Sequence, residues 1–251
     1  MLAGMDLNQI FLFPVKDTEA RKHFLIGCLV VLASFVIPIV PYLALFGYSA
    51  RIAKQIFNSE EPRMIPWDDW GDMIKDGLRM FGVRMIYSIP MLLIAIPLMF
   101  MGLGLPILLE NVSSSDAEAI FSIFMVLMLG AMCLIIPLSL PLAVIIPAAE
   151  MHAVEKDDFA AGFKFREWWQ IFRANLSGFI ASFAIYYGAT MILTVFMQII
   201  IATLILACLL PLILPGITLY LSLVMYAAIA QAYKIGKEKV TQTETQSALT
   251  A

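Results

Sequence analysis

Four uninterrupted apolar runs make up most of the chain, and short polar segments separate them. A helix needs about 20 apolar residues to cross about 30 Å of hydrocarbon. Residues 24–50 and 85–109 each meet that length once. Residues 119–149 carry no charge and run somewhat longer, with Pro137, Pro141 and Pro147 placed to kink them. The last run, 174–233, is also uncharged. As one helix at about 1.5 Å per residue it would extend roughly 90 Å, three bilayer thicknesses. It must therefore turn back, between Gln198 and the breaker Pro211-Leu-Ile-Leu-Pro215-Gly216.

The first run reads in two ways. It is either one crossing or, broken by Pro38-Ile-Val-Pro41, a re-entrant hairpin with both ends on one side. The fold class is an all-α integral membrane protein. It is expected to be a compact bundle of about five transmembrane helices, or four and a hairpin, with amphipathic interfacial helices. Residues 1–239 form a single membrane domain and 240–251 a disordered polar tail, because the tail is small, polar and without periodicity. Asp17 and Glu19 stand before the first run without a small-residue cleavage site. The run is accordingly read as a retained segment and not as a signal peptide.

Basic residues give the orientation. They collect at Lys16, Arg21 and Lys22, in linker 51–84, in linker 150–173, and at Lys234, Lys237 and Lys239; the 110–118 connection has none. Positive flanks favour the cytoplasm. Linkers 51–84 and 150–173 and the C-terminus are thus expected to be cytoplasmic in a multi-pass cell-membrane protein. The hairpin alternative keeps Lys16, Arg21 and Lys22 on that side too.

All four tryptophans lie in the two linkers. Trp67, Trp70, Ile74, Leu78 and Phe81 recur at three- and four-residue spacing, and Asp68 or Asp69 can cap the helix they imply. Phe165, Trp168, Trp169 and Phe172 repeat the arrangement. Indoles at the polar–apolar boundary anchor such helices in the headgroup plane, which makes Trp67, Trp70, Trp168 and Trp169 the expected interfacial anchors. A docking or lipid-headgroup surface is the alternative. Three stretches of aromatic, then basic, then apolar sequence also suggest a threefold repeat over 10–61, 67–156 and 163–239.

Composition sharpens this picture. The chain has 251 residues, 61% of them hydrophobic and 14% charged, with a formal net charge of −3 and mean hydropathy +0.89. Soluble domains run about 45–50% apolar and about 25% charged, so a water-soluble fold could not hide this surface. The acidic balance excludes nucleic acid as an expected partner. Cys28, Cys133 and Cys208 sit apart in apolar runs and form neither a disulfide framework nor a metal spacing.

Sites of chemistry are scarce. Histidine occurs only at His23 and His152. Glu150-Met-His152 with Glu155 lacks the spacing of a zinc site, and Ser49 has no evident histidine partner for nucleophilic work. No catalytic, cofactor or metal residues are assigned. Ionisable groups inside a bilayer mark many transport paths, but the runs hold none away from their ends. Asn175, Gln198 and Gln231 are the strongest polar candidates, and interhelical hydrogen bonding would account for them.

Gly47-Tyr48 with nearby Arg51, Ile65-Pro66-Trp67-Asp68-Asp69-Trp70, Lys75-Asp76-Gly77-Leu78 and Ile86-Tyr87-Ser88-Ile89-Pro90 occur in that order. The set resembles the family called domain of unknown function 4013. The resemblance implies a prokaryotic multi-pass membrane protein and supplies no activity. The function expected is that of a non-enzymatic envelope scaffold, assembly or lipid-organising component. Its expected partners are membrane lipids and either another membrane protein or a second copy. A carrier of lipid or apolar solute is the alternative, and an intramembrane enzyme the third reading.

Overall fold

The computed structural model describes residues 4–110, 112–203 and 208–250. Asn111 of the 110–118 connection, residues 204–207 of the expected turn, Ala251 of the expected tail and residues 1–3 lie outside them. The described elements are eight α-helices and two short 3-10 turns, at Ala33–Phe35 and Ala160–Phe163. The helices are α1 (Leu7–Leu12), α2 (Thr18–Leu32), α3 (Val40–Phe57), α4 (Trp70–Leu109), α5 (Ser114–Glu155), α6 (Phe165–Ala174), α7 (Leu176–Ala202) and α8 (Leu210–Thr250).

Four of them, α4, α5, α7 and α8, are long and apolar enough to cross a membrane. The first apolar run is divided. Asp17 caps α2, its carboxylate accepting from Ala20 N at 2.7 Å. Pro38 restricts the residue before it, and Pro41 sits in the first turn of α3, where a missing N–H costs nothing. The run thus becomes two short helices packed against each other, in place of one crossing. The final run also turns back where expected, since α7 stops at Ala202 and α8 starts at Leu210.

The chain forms two compact units. Residues 84–146 make one, comprising most of α4 and of α5. Ala131 and Ile146 are its only buried positions among the described residues. The other unit contains residues 1–83 and 147–251. Its centre is α8, against which α1, α2, α3, α6 and α7 all pack. The contact side of α8 is rich in alanine: Ala227, Ala228, Ala230 and Ala232 are fully buried beside Leu219, Leu223 and Tyr233. Small side chains let helix backbones approach closely.

One expectation changes here. The tail predicted to be structureless continues α8 to Thr250. Its Thr241, Thr243 and Thr245 hydroxyls bond the carbonyls four residues back, which lets these polar residues stay helical. The first turns of α4 have one buried and one exposed face. Met73, Asp76, Gly77, Met80 and Val83 are buried, whereas Trp70 and Leu78 are exposed. The apolar stripe points outward and the inner face carries an ion pair. Spacing alone fixes which residues share a face, not which face turns inward.

The three stretches suggested as repeats do not meet their apolar helices in the same way. The joints differ: α1 and α2 are separated by residues 13–17, the second stretch runs unbroken into α4, and α6 breaks from α7 at Asn175.

Candidate functional site

Polar side chains gather in two clusters in the unit built from residues 1–83 and 147–251. The first is a clasp between α3 and the start of α4. Gly47 lies so close to the Met73 main chain that a Cβ there would overlap the Met73 carbonyl, and Gly77 stands in the same relation to Leu43. The backbones therefore meet directly, and only glycine permits it. One turn along, the Tyr48 ring stacks on Trp67, with centroids 4.2 Å apart and planes 16° apart. The Tyr48 hydroxyl donates to Ile65 O at 2.8 Å and accepts from Ile65 N at 2.7 Å. One phenol thus satisfies both main-chain groups of a residue that has no helix to do so. The Trp67 indole N–H donates to His23 O at 2.9 Å, which ties α2 to the same point.

Charges complete the clasp. Arg51 Nη2 lies 2.7 Å from Asp69 Oδ2. Asp76 receives Lys54 Nζ at 3.0 Å and Arg79 Nη1 at 2.9 Å; both cations also reach Asp157, at 2.9 and 2.6 Å. Two carboxylates and two cations close on one another and join α3, α4 and the turn after α5. Hydrogen bonds hold Asp157 below the usual carboxylate range, first that from Lys54 and then that from Arg79. The hydrogen bond from Arg51 does the same for Asp69. Asp157 has φ +53°, the left-handed conformation that ends helices and that aspartate tolerates better than most residues.

The second cluster joins the end of α5 to α6 and α8. Glu150, fully buried, accepts from Tyr226 OH at 3.2 Å. His152 Nδ1 lies 2.6 Å from Tyr233 OH, and Nε2 lies 3.2 Å from Glu167 Oε2. Tyr233 OH also donates to Glu155 Oε2 at 3.0 Å, while Lys237 pairs with Glu155 Oε1. With Glu155 ionised by Lys237, Tyr233 spends its hydrogen on Glu155 and takes one from His152 Nδ1. The contact between Nε2 and Glu167 is then a hydrogen bond only when one further proton is carried between ring and carboxyl.

The residues singled out from sequence are placed as follows. Trp67 and Trp168 are buried in protein, whereas Trp70 is exposed and Trp169 half-buried. The expected row of four anchors thus divides into two inward and two outward rings. Asn175 sits at the α6–α7 break, where Nδ2 donates to Ala232 O at 2.9 Å and Oδ1 accepts from Lys239 Nζ at 3.0 Å. Gln231 accepts from Asp6 N at 3.0 Å, and Gln198 is exposed on α7. These three amides do not converge. Ser49 spends its hydroxyl on Leu45 O.

A family model described as "Protein of unknown function (DUF4013)" matches residues 30–206. The chain belongs to this family. Among curated proteins and among solved structures, nothing matches. The residues quoted above for the DUF4013 resemblance now acquire a physical meaning. Gly47, Tyr48, Arg51, Trp67, Asp69, Asp76 and Gly77 are all parts of the one clasp. Sequence alone assigned no such role to Asp76 and Arg79. Their signal was the Lys75-Asp76-Gly77-Leu78 motif, in which a small residue adjoins an acid. His152, Tyr233 and Glu167 left no comparable trace, since they meet only across long sequence separations.

Proposed function

We propose that this DUF4013 protein is a non-enzymatic membrane scaffold that organises lipids and neighbouring membrane proteins, with its polar end in the cytoplasm. One observation supports the reading above others: the polar groups are used on each other. The clasp and the second cluster consist of side chains that fix helices, and the amides expected to mark a path serve a helix break, the N-terminal segment and the outer surface. No residue in the most apolar windows of α4 and α7 is buried inside the protein. Outward apolar surface of this kind suits lipid or a partner helix and does not line a route through the chain.

The partners implied are membrane lipids and a membrane protein, either another chain or a second copy. Purification in native-lipid discs, followed by mass spectrometry of the lipid and protein that remain, tests this reading. Retained phospholipid together with a reproducible protein partner or dimer is the expected result. Lipid or apolar-solute transfer between compartments of vesicles containing only this protein would replace it with a carrier.

A further inference from the structure

The α2–α3 hairpin leaves an apolar surface uncovered. From Phe24 to Ala50 no residue is charged, and the tip is among the most exposed apolar parts of the molecule: Phe35 is 67%, Val36 83% and Ile39 62% accessible. Both feet of the hairpin are tied to the same polar region. The indole of Trp67 binds the His23 carbonyl at the foot of α2 and stacks on Tyr48 of α3, and Lys16 pairs with Glu61 at 3.2 Å.

The hairpin is also shorter than the helix it lies against. Gly27 of α2 packs on Leu219 of α8, and Phe46 of α3 lies 6.0 Å from Tyr226 between ring centroids. Beyond those levels α2 continues to Leu32 and α3 reaches back to Val40, about 8 and 9 Å at 1.5 Å per residue. From the same levels α8 reaches back to Leu210, about 14 and 24 Å. Neither arm approaches the length of α8: α2 has 15 residues and α3 has 18, against 41 in α8.

One face of α2 orders these features from polar to apolar. Arg21, Leu25 and Leu29 are exposed at four-residue spacing, which aligns them on one stripe, and Lys22 is exposed beside Arg21. A cation pair at the head of a stripe that runs about 12 Å from Arg21 to Leu29 matches a phospholipid with an anionic headgroup. Its phosphate suits Arg21 and Lys22, and its acyl chain suits Leu25, Leu29 and the tip.

We propose that the α2–α3 hairpin is a re-entrant element that enters and leaves the bilayer from the side of the clasp, and that its outer stripe seats an anionic phospholipid of that leaflet. The proposal rests on the membrane reading of the chain and adds to it a site and a lipid class.

The test uses the full chain in vesicles of phosphatidylcholine and phosphatidylglycerol, with Cys28, Cys133 and Cys208 replaced by alanine and single cysteines added. Glu19→Cys and Asn58→Cys are expected to react with membrane-impermeant maleimide from the same side. Val36→Cys is expected to stay unreactive from both sides, and a fluorophore on it to be quenched by brominated acyl chains. Reaction of Glu19→Cys and Asn58→Cys from opposite sides, or reaction of Val36→Cys in water, overturns the re-entrant path. A fluorophore at Val36 shielded from brominated lipid overturns the lipid occupant in favour of a second copy.

At Leu25→Cys, brominated phosphatidylglycerol is expected to quench more than brominated phosphatidylcholine. Arg21→Gln with Lys22→Gln should bring that ratio to one. A ratio of one with Arg21 and Lys22 intact overturns the headgroup site. Release of the protein from vesicles by alkaline carbonate would instead overturn the membrane reading itself.

Discussion

The two compact units follow opposite rules of burial. In residues 1–83 with 147–251, charged and hydroxyl groups lie inside and are paired: Asp76 with Lys54 and Arg79, Tyr48 with Ile65, Tyr233 with Glu155. In residues 84–146 almost nothing is inside at all. The first unit carries its specificity in named contacts with fixed geometry. The second consists of two apolar helical segments whose outward side chains have lipid or another helix as their natural surroundings. In such an environment the hydrophobic effect does not drive helices together. Substitutions in the two units should therefore differ sharply in cost.

Glycines offer the widest contrast. Gly77→Leu or Gly47→Val forces a side chain into main-chain atoms and should cost more than about 3 kcal/mol, enough to remove the monodisperse peak in detergent gel filtration. Gly104→Ala and Gly130→Ala have no atoms near the new methyl group. They should leave that peak intact and shift stability by less than about 1 kcal/mol, in the stabilising direction.

The two tryptophans of one motif should also separate. Trp67→Ala removes a buried ring, its stack on Tyr48 and its bond to His23, for a loss of about 3–5 kcal/mol. Trp70 is 40% exposed, and Trp70→Ala should cost less than about 1 kcal/mol. Thermal loss of the gel-filtration peak measures both, and equal losses would remove the distinction between inward and outward rings. Asp76→Ala leaves Arg79 buried with only Asp157 as its carboxylate and should cost about 3 kcal/mol. Asp76→Asn should recover part of that by keeping a hydrogen-bond acceptor for Arg79.

Acid gives the smallest effect. Asp157 is more acidic in the folded chain than an ordinary aspartate, foremost because of the Lys54 hydrogen bond. Its ionised form therefore favours folding. That contribution is complete above the ordinary aspartate pKa of about 3.9 and disappears as pH falls through the lower folded value. Asp157→Asn should lower the midpoint of thermal unfolding at pH 7 and leave it unchanged near pH 2. A residue exposed to this degree contributes modestly, and salt should reduce the difference further.

Much of this architecture is legible in hydropathy. The four long helices fall on the apolar runs, and Pro38 with Pro41 marked where the first run divides. The buried face of α4 was not legible, because the spacing of Trp70, Ile74 and Leu78 marks the apolar stripe and says nothing of the pairing of Asp76 with Arg79 opposite it. Trp67 and Trp70 look equivalent along the sequence, and the ring of Tyr48 and the carbonyl of His23 separate them. Asn175 was read as a polar group within a span, but it stands at a helix break where its amide has main-chain work to do. The partners of His152 lie 15 and 81 positions away, and no local pattern encodes such a meeting.

The crossing at Gly47 and Gly77 has a consequence for tracing this architecture in more distant chains. The close approach at this joint is made by peptide groups, so whatever the aromatic and charged residues around it contribute, it requires that nothing bulkier than hydrogen occupy its two axle points. Two glycines thirty positions apart, the first before a basic helix end and the second inside a new helix, would then serve as the landmark by which to align sequences whose tryptophans and acids have drifted beyond recognition.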